Sequence, residues 1–136
     1  MKKILILFLL LILNNKYAYS VEPEVFVQST VNKASNILSK NISKEEKMLE
    51  LKSVAKETVD IRGVGFYSLG PARKNLNENQ KKQYLNLFQD YFLKSFSSRL
   101  AEYTDPKINV MGKEIINKNY TIVKSLLIAT STSPEV

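Results

Sequence analysis

The chain has 136 residues, with no cysteine and no histidine, and a formal net charge of +7. Without cysteine there are no disulfides, thiol nucleophiles or cysteine-linked lipids, and without histidine the usual general base and the commonest metal ligand are missing. The only aspartates are Asp60, Asp90 and Asp105, and their spacing indicates no carboxylate pair. We therefore expect no catalytic site, no metal site and no cofactor, and the protein is predicted not to be an enzyme.

Residues 1–20 have the pattern of a secretory signal peptide. Two lysines precede an apolar run over residues 4–13, and Ala18 and Ser20 are the small residues that a signal peptidase reads. The apolar run is too short to span a bilayer core, which requires roughly twenty residues. We expect cleavage after Ser20 and export of residues 21–136 from the cytoplasm as one domain, with an uncleaved anchor as the alternative.

The exported chain is less basic than the whole sequence. Lys2, Lys3 and Lys16 leave with the signal peptide, so 17 basic and 13 acidic side chains remain, a net charge of +4. A charge of this size usually describes a solvated surface, with attraction to anionic lipid surfaces as the alternative. Because no basic run is interleaved with aromatic residues, we expect no nucleic-acid partner.

Two amphipathic helices are predicted in the first part of the exported chain. One begins with Pro23 and extends to Ser39. Its apolar residues at helical spacing are Val27, Val31, Ala34 and Leu38. The other begins with a capping box of Ser43 and Glu46 and runs to about Val59. Its apolar stripe is Met48, Leu51 and Ala55.

A short helix is predicted next. Asp60 is placed to cap it, and Gly70 with Pro71 is expected to stop it. The residues expected to point inward are Val64, Phe66 and Leu69.

The longest helix is predicted from about Glu78 to Tyr103, with Asn77 and Gln80 forming its cap. Its apolar stripe consists of Tyr84, Phe88, Phe92, Phe96, Leu100 and Tyr103, widened by Leu85 and Leu87. By itself, an apolar stripe at this spacing indicates a helix face that packs in the hydrophobic core more often than one that lines a ligand pocket. Pro106 marks the end of the helical pattern, because the residue before a proline is disfavoured in a helix.

The pattern then changes to that of strands. Ile108 and Val110 alternate with polar neighbours, residues 117–119 have the composition of a turn, and residues 120–129 form a β-branched, leucine-rich run. An antiparallel hairpin is therefore predicted.

The segment from residue 57 to residue 103 resembles the MlaC family, also called the toluene-tolerance or ABC-transporter auxiliary family. The positions that carry the resemblance are Glu57, Thr58, Val59, Asp60, Leu69, Gly70, Gln80, Phe88, Phe92, Phe96, Leu100 and Tyr103. The chain departs from the family pattern at Arg73 and Lys74, since the family usually has a Trp-Arg pair just after the Leu-Gly.

The resemblance implies an α+β fold in which helices pack on a curved antiparallel sheet and leave an apolar pocket for acyl chains. Such a pocket needs no charged motif, because each CH2 group kept out of water gains about 0.8 kcal/mol. The candidate lining residues are Phe66, Leu69, Phe88, Phe92, Val110, Leu126 and Ile128. Arg62, Arg73 and Arg99 are candidates for contact with a phosphate, with plain surface charge as the favoured interpretation.

The function implied by the resemblance is phospholipid carriage across the periplasm, which maintains the lipid asymmetry of the outer membrane. The implied partners are phospholipid, the periplasmic subunit of an inner-membrane ABC transporter, and an outer-membrane lipoprotein complex. Family members commonly continue with further strands and C-terminal helices, so the sequence is expected to be a truncated form. Two alternatives stay open: a remnant without lipid function, and a small periplasmic module that binds a partner helix in an apolar groove.

Overall fold

The computed structural model describes residues 21–128, which form four α-helices, one 3-10 helix and a two-stranded antiparallel sheet. In chain order these are α1 (Pro23–Leu38), α2 (Lys44–Thr58), α3 (Ile61–Leu69), the 3-10 helix η1 (Gly70–Lys74), α4 (Glu78–Leu100), β1 (Lys107–Asn117) and β2 (Tyr120–Ile128). The predicted α+β class is confirmed. The expected signal peptide and the end of the predicted second strand, Ala129, lie outside the described residues. None of the helices within residues 21–128 combines the length and the hydropathy that a membrane span requires.

The capping boxes predicted for α2 and α4 are both present. Glu46 N donates to Ser43 Oγ at 3.2 Å, and Ser43 N donates to Glu46 Oε2 at 2.9 Å. Gln80 and Asn77 exchange the equivalent two bonds at 2.9 Å each. Each box satisfies two N–H groups that the start of a helix leaves unpaired. Both helices therefore begin where the sequence predicts.

The start of α3 agrees with the prediction, but its buried face does not. Asp60 caps the helix by accepting a hydrogen bond from Gly63 N at 2.9 Å. The buried residues of α3 are Ile61 and Gly65. Val64, which was expected to point inward, is 40% exposed, while Phe66 and Leu69 are half-buried. The prediction for Val64 is wrong because the face of α3 that packs on α4 carries Ile61 and Gly65, and Val64 lies outside that face.

One predicted helix end is confirmed and another is wrong. Gly70 caps the end of α3 as predicted, with a φ of +55° that favours glycine, and the chain bends there into η1. The long helix α4 ends at Leu100 rather than at Tyr103. Tyr103 N donates to Leu100 O at 3.0 Å, a bond of the tighter 3-10 type that closes the last turn. Asp105, with a φ of +51°, then turns the chain back toward α1.

The core lies among the helices and consists of two clusters of buried residues. One cluster joins α1 to α2 and contains Ile37, Leu38, Leu51 and Val54. The other joins α2, α3 and α4 and contains Ala55, Ile61 and Leu93. Since α2 contributes to both, it forms the middle of the helical layer. On α4 the buried residues are Leu93 and Ser97, whereas Leu87, expected to widen the apolar stripe, is 71% exposed.

The hairpin packs against α1 at its base and is exposed toward its tip. Ile108 on β1 lies opposite Leu127 on β2. Just before β1, Ser35 Oγ on α1 donates a hydrogen bond to Pro106 O at 3.3 Å. Farther along β1, Lys113 forms ion pairs with two glutamates at the start of α1. These contacts hold one face of the hairpin against α1.

Candidate functional site

An apolar cavity lies where α1, the end of α4 and the base of the hairpin meet. Its volume is about 130 Å³. The lining residues are Ala34, Ser35, Leu38, Leu100, Tyr103, Pro106, Ile108 and Leu127. None of these side chains is charged, and only Ser35 and Tyr103 carry a polar group. The cavity therefore suits an apolar ligand.

The periodicity of each element brings its lining residues to the cavity. On α1, Leu38 lies one helical turn after the adjacent residues Ala34 and Ser35, so all three lie on one side of the helix. At the end of α4 they continue the spacing of its apolar stripe. On the hairpin they are the cross-strand pair Ile108 and Leu127, and residues directly opposite each other share one face of a sheet. The hydrogen bond from Ser35 Oγ to Pro106 O at 3.3 Å ties these elements together at the cavity.

A stack of aromatic rings runs along α4 and leads toward this cavity. The ring centroids are 5.8 Å apart for Tyr84 and Phe88, 6.2 Å for Phe88 and Phe92, and 5.6 Å for Phe92 and Phe96. Leu100 follows at the same spacing of four residues and lines the cavity. We call these five residues the apolar stripe. It measures about 24 Å from Tyr84 to Leu100 at 1.5 Å per residue.

The apolar stripe is only half-buried, because the core occupies one of its flanks. Phe88, Phe92 and Phe96 pack against the cluster of Ala55, Ile61 and Leu93. All five residues of the stripe nevertheless keep part of their surface accessible. The accessible rings are followed, at the same spacing of four residues, by a leucine that lines the apolar cavity, and this row offers apolar surface to an extended hydrocarbon chain.

The seven residues predicted to line a pocket fall in three places. Phe88 and Phe92 belong to the apolar stripe. Phe66 and Leu69 lie on α3, and neither lines the cavity. The remaining three, Val110, Leu126 and Ile128, lie on the hairpin. The role of all seven residues in lipid binding stays a prediction.

The register of the hairpin separates these three residues. Val110 follows Ile108 by two positions and is half-buried on the same face of the sheet. Leu126 and Ile128 flank Leu127 and therefore point to the opposite face of the sheet. Leu126 is 54% exposed, and Ile128 and Leu127 are each 39% exposed. Leu127, the residue between Leu126 and Ile128, lines the cavity.

Sequence reasoning recognised most of the cavity residues without assigning them to a site. Ala34, Leu38, Leu100 and Tyr103 all stand in predicted apolar stripes. Leu127 was missed because a continuous apolar run gives no sign of which alternate residues face the core. The pairing of Leu127 with Ile108, which also alternates with polar neighbours, is the signal that identifies it.

No charged side chain lines the cavity. Hydrogen bonds from Ser43 lower the pKa of Glu46, and a hydrogen bond from Lys81 lowers the pKa of Glu78, with a smaller effect of Arg62. Neither carboxyl lines the cavity. Within the described residues, no three side chains of the types His, Cys, Asp and Glu are grouped to hold a metal ion. The cavity as built can hold an apolar group but has no acid–base pair.

The three candidate phosphate contacts lie at two different ends of the helical layer. Arg62 stacks over the Phe66 ring on α3, with its guanidinium carbon 5.0 Å from the ring centroid. Arg73 follows on η1 and is exposed. Arg99 is exposed at the other end of α4, next to the cavity residue Leu100. The structure therefore separates Arg99 from the other two.

Fold and cavity together define an α+β protein with an apolar site formed by helices and a hairpin. The family model described as MlaC protein matches residues 28–136, and the chain belongs to the MlaC family. At the level of the family, this means phospholipid binding and lipid transport in the periplasm. A search of curated proteins and a search of solved structures each found no match.

Proposed function

We propose that this protein carries phospholipid through the periplasm, with one acyl chain lying along the apolar stripe and its end in the cavity. The observation that carries the proposal is the continuity of the two: Leu100 is both the last residue of the stripe and part of the cavity wall. The partners proposed from the family are the periplasmic subunit of an inner-membrane ABC transporter and an outer-membrane lipoprotein complex.

The dimensions of the cavity and of the apolar stripe suit different parts of an acyl chain. Sites that enclose a small ligand usually measure roughly 300–1,000 Å³, and the cavity, at about 130 Å³, has room only for the end of a chain. The stripe, about 24 Å long, exceeds the half-thickness of a bilayer core, roughly 15 Å. An acyl chain can thus exchange its membrane surroundings for the stripe over its full length.

The energetic reason for this arrangement is the hydrophobic effect. Each CH2 group transferred from water to an apolar surface gains about 0.8 kcal/mol, so the affinity resides in the tails and the head group can stay in water. Release requires no bond to be broken. Transfer in either direction then depends on the partner that offers the tails a larger apolar surface.

The experiment is to express the full chain with export, purify the protein from the periplasm, and identify solvent-extracted lipid by mass spectrometry. A matched pair of variants on α4 controls for non-specific binding: Leu100→Gln alters the cavity, whereas Leu87→Gln changes an exposed leucine. We expect equimolar phospholipid in the wild type and Leu87→Gln, and several-fold less in Leu100→Gln. A folded, monodisperse wild type without phospholipid would overturn the proposal.

A second function, a protein-interaction module, is favoured by one observation. The face of the hairpin away from α1 exposes Tyr120, Ile122 and Leu126, which are 57%, 38% and 54% accessible. A module of this kind retains no phospholipid and binds a partner protein instead, so the same extraction experiment separates the two functions.

A further inference from the structure

The junction of α3 and η1 forms an exposed surface that is both aromatic and basic. Tyr67 is 86% exposed, the highest value among the exposed large apolar side chains of the described residues. Arg73 and Lys74 are also exposed. A groove of about 290 Å³ lies among them, lined by Phe66, Tyr67, Gly70, Pro71, Arg73 and Lys74. We call Tyr67, Arg73, Lys74 and this groove the basic tip.

The backbone at Gly70 creates the basic tip. Its φ of +55° is one that residues with a β-carbon rarely adopt, and it bends the chain between α3 and η1. Pro71 then starts the 3-10 helix. As a result, Arg73 and Lys74 return to the side of α3 that carries Tyr67.

The two cations of the basic tip are available for an external anion. Among the ion pairs of residues 21–128, none involves Arg73 or Lys74. Arg62 stacks on Phe66, and the nearest carboxylate with which it interacts, Glu78, already pairs with Lys81 at 2.8 Å. The surroundings of the basic tip therefore stay positive.

Charge along the chain is concentrated in the same region. Residues 60–82 contain five basic and two acidic side chains. Residues 21–59 contain six of each, and residues 83–136 contain six basic and five acidic. Three of the four net positive charges of residues 21–136 thus lie in the segment that includes the basic tip. A local field of this sign attracts anionic surfaces.

We propose that the basic tip is a docking surface for a membrane that contains anionic phospholipid. Tyrosine partitions to the interface between head groups and hydrocarbon, where its ring is apolar and its hydroxyl stays wet. Lysine and arginine next to it are attracted to anionic head groups while their stems cover apolar surface. Exposed Tyr67 between unpaired cations therefore matches the chemistry of a membrane surface, and the charge of the tip is complementary to it.

The position of the basic tip is suited to lipid exchange, although the inference does not depend on lipid carriage. Gly65 of α3 packs on Phe88, so α3 lies beside the first half of α4. The basic tip is therefore near the Tyr84 end of the apolar stripe, and the cavity is at the Leu100 end. A docked molecule presents the open end of the stripe to the membrane.

The test is vesicle flotation with the full chain, expressed with export and purified from the periplasm. Vesicles of phosphatidylcholine alone are compared with vesicles of equimolar phosphatidylcholine and phosphatidylglycerol, at low and at high salt. The double variant Arg73→Ala/Lys74→Ala is compared with Lys56→Ala/Lys118→Ala, which has the same net charge and changes two exposed lysines outside the tip. Tyr67→Ser is compared with Tyr91→Ser, since Tyr91 is 69% exposed on α4.

We expect binding to the anionic vesicles alone, weakened by salt. Removing both cations of the tip should lower the binding constant by about 30-fold, at about fivefold for each charge, while the control double variant changes it little. Tyr67→Ser should weaken binding and Tyr91→Ser should not. Equal losses in the two double variants, or equal binding to both kinds of vesicle, would overturn the inference. Absence of binding to any vesicle would also overturn it and leave an acidic protein as the occupant.

Because the basic tip and the cavity are separate, the two proposals fail separately. Arg73→Ala/Lys74→Ala should retain as much extracted phospholipid as the wild type. Leu100→Gln should still float with anionic vesicles.

Discussion

Gly65 on α3 lies directly against the ring of Phe88 on α4. A β-carbon at position 65 would be 3.0 Å from Phe88 Cδ1 and 3.1 Å from Leu85 Cδ2. Distances this short mean that α3 and α4 approach each other through a residue without a side chain. The contact holds one flank of the apolar stripe in place and positions the basic tip beside it.

Enlarging residue 65 should separate the two helices. Gly65→Leu is expected to lower the free energy of unfolding by about 1–3 kcal/mol, the usual cost of overpacking. Gly65→Ala should be close to neutral, because the gain in helix propensity, about 1 kcal/mol, offsets a small shift of the Phe88 ring. Urea denaturation followed by circular dichroism measures both. If Gly65→Leu proved as stable as the wild type, the helices would not be in close contact here.

The cap of α4 should contribute measurably to stability. Asn77→Ala removes the side-chain acceptor for Gln80 N and is expected to cost about 1 kcal/mol. Asn79→Ala, two residues later and exposed, is the matched control and should change stability by only a few tenths of that amount. Denaturant midpoints of the two variants give the comparison. Equal losses would mean that the box does not hold the start of the helix.

The contact between β1 and the start of α1 should depend on pH. Lys113 Nζ lies 2.7 Å from Glu22 Oε2 and 3.1 Å from Glu24 Oε2. The hydrogen bond from Lys113 lowers the pKa of Glu22 below its ordinary value of 4.5, and bonds to Glu22 and Glu24 raise the pKa of Lys113 above 10.5. The stabilisation is therefore complete between these values. It is lost as the pH falls through the lowered pKa of Glu22 or rises through the raised pKa of Lys113.

Lys113→Met tests this dependence by thermal denaturation. At neutral pH the variant should melt slightly below the wild type, and the difference should disappear in acid well below pH 4.5 and in high salt. Lys118→Met, at an exposed turn lysine without an ion pair among residues 21–128, is the control and should show no such trend. A difference that persists unchanged in acid would exclude the ion pair as its cause.

The face of the hairpin that binds lipid can be decided with two neighbouring leucines. Leu127 lines the cavity and Leu126 points to the other face. We expect Leu127→Ser to retain several-fold less phospholipid after purification and Leu126→Ser to retain the wild-type amount, measured by mass spectrometry of solvent extracts. The reverse result would favour the lining set that includes Leu126 and Ile128 and would place the acyl chain on the outer face.

The outer face of the hairpin should promote self-association. Tyr120, Ile122 and Leu126 are exposed there, and within residues 21–128 no further strand pairs with the outer edge of β2. Ile122→Lys is expected to shift the protein toward monomer in light scattering at high concentration. Asn119→Lys adds the same charge in the turn and should have little effect. If both variants act equally, net charge and not the apolar face controls association.

The features that the sequence predicted well are the ones set by local chemistry. Ser43 with Glu46 and Asn77 with Gln80 start α2 and α4, because a capping box involves residues only three positions apart. The hairpin and its turn are likewise local. The motif between residues 57 and 103 was enough to indicate the family, which the family model then confirmed.

The features that depend on packing between distant elements required the tertiary structure. Local pattern cannot say that α3 presents Gly65 to Phe88, since this depends on how closely α4 approaches. Nor can it say that Leu127, and not its neighbours, lies on the sheet face that lines the cavity, because a one-residue change of register would reverse every side chain of the strand. The sequence by itself thus determined the elements and the family, and the tertiary structure decided which apolar residues meet at the cavity.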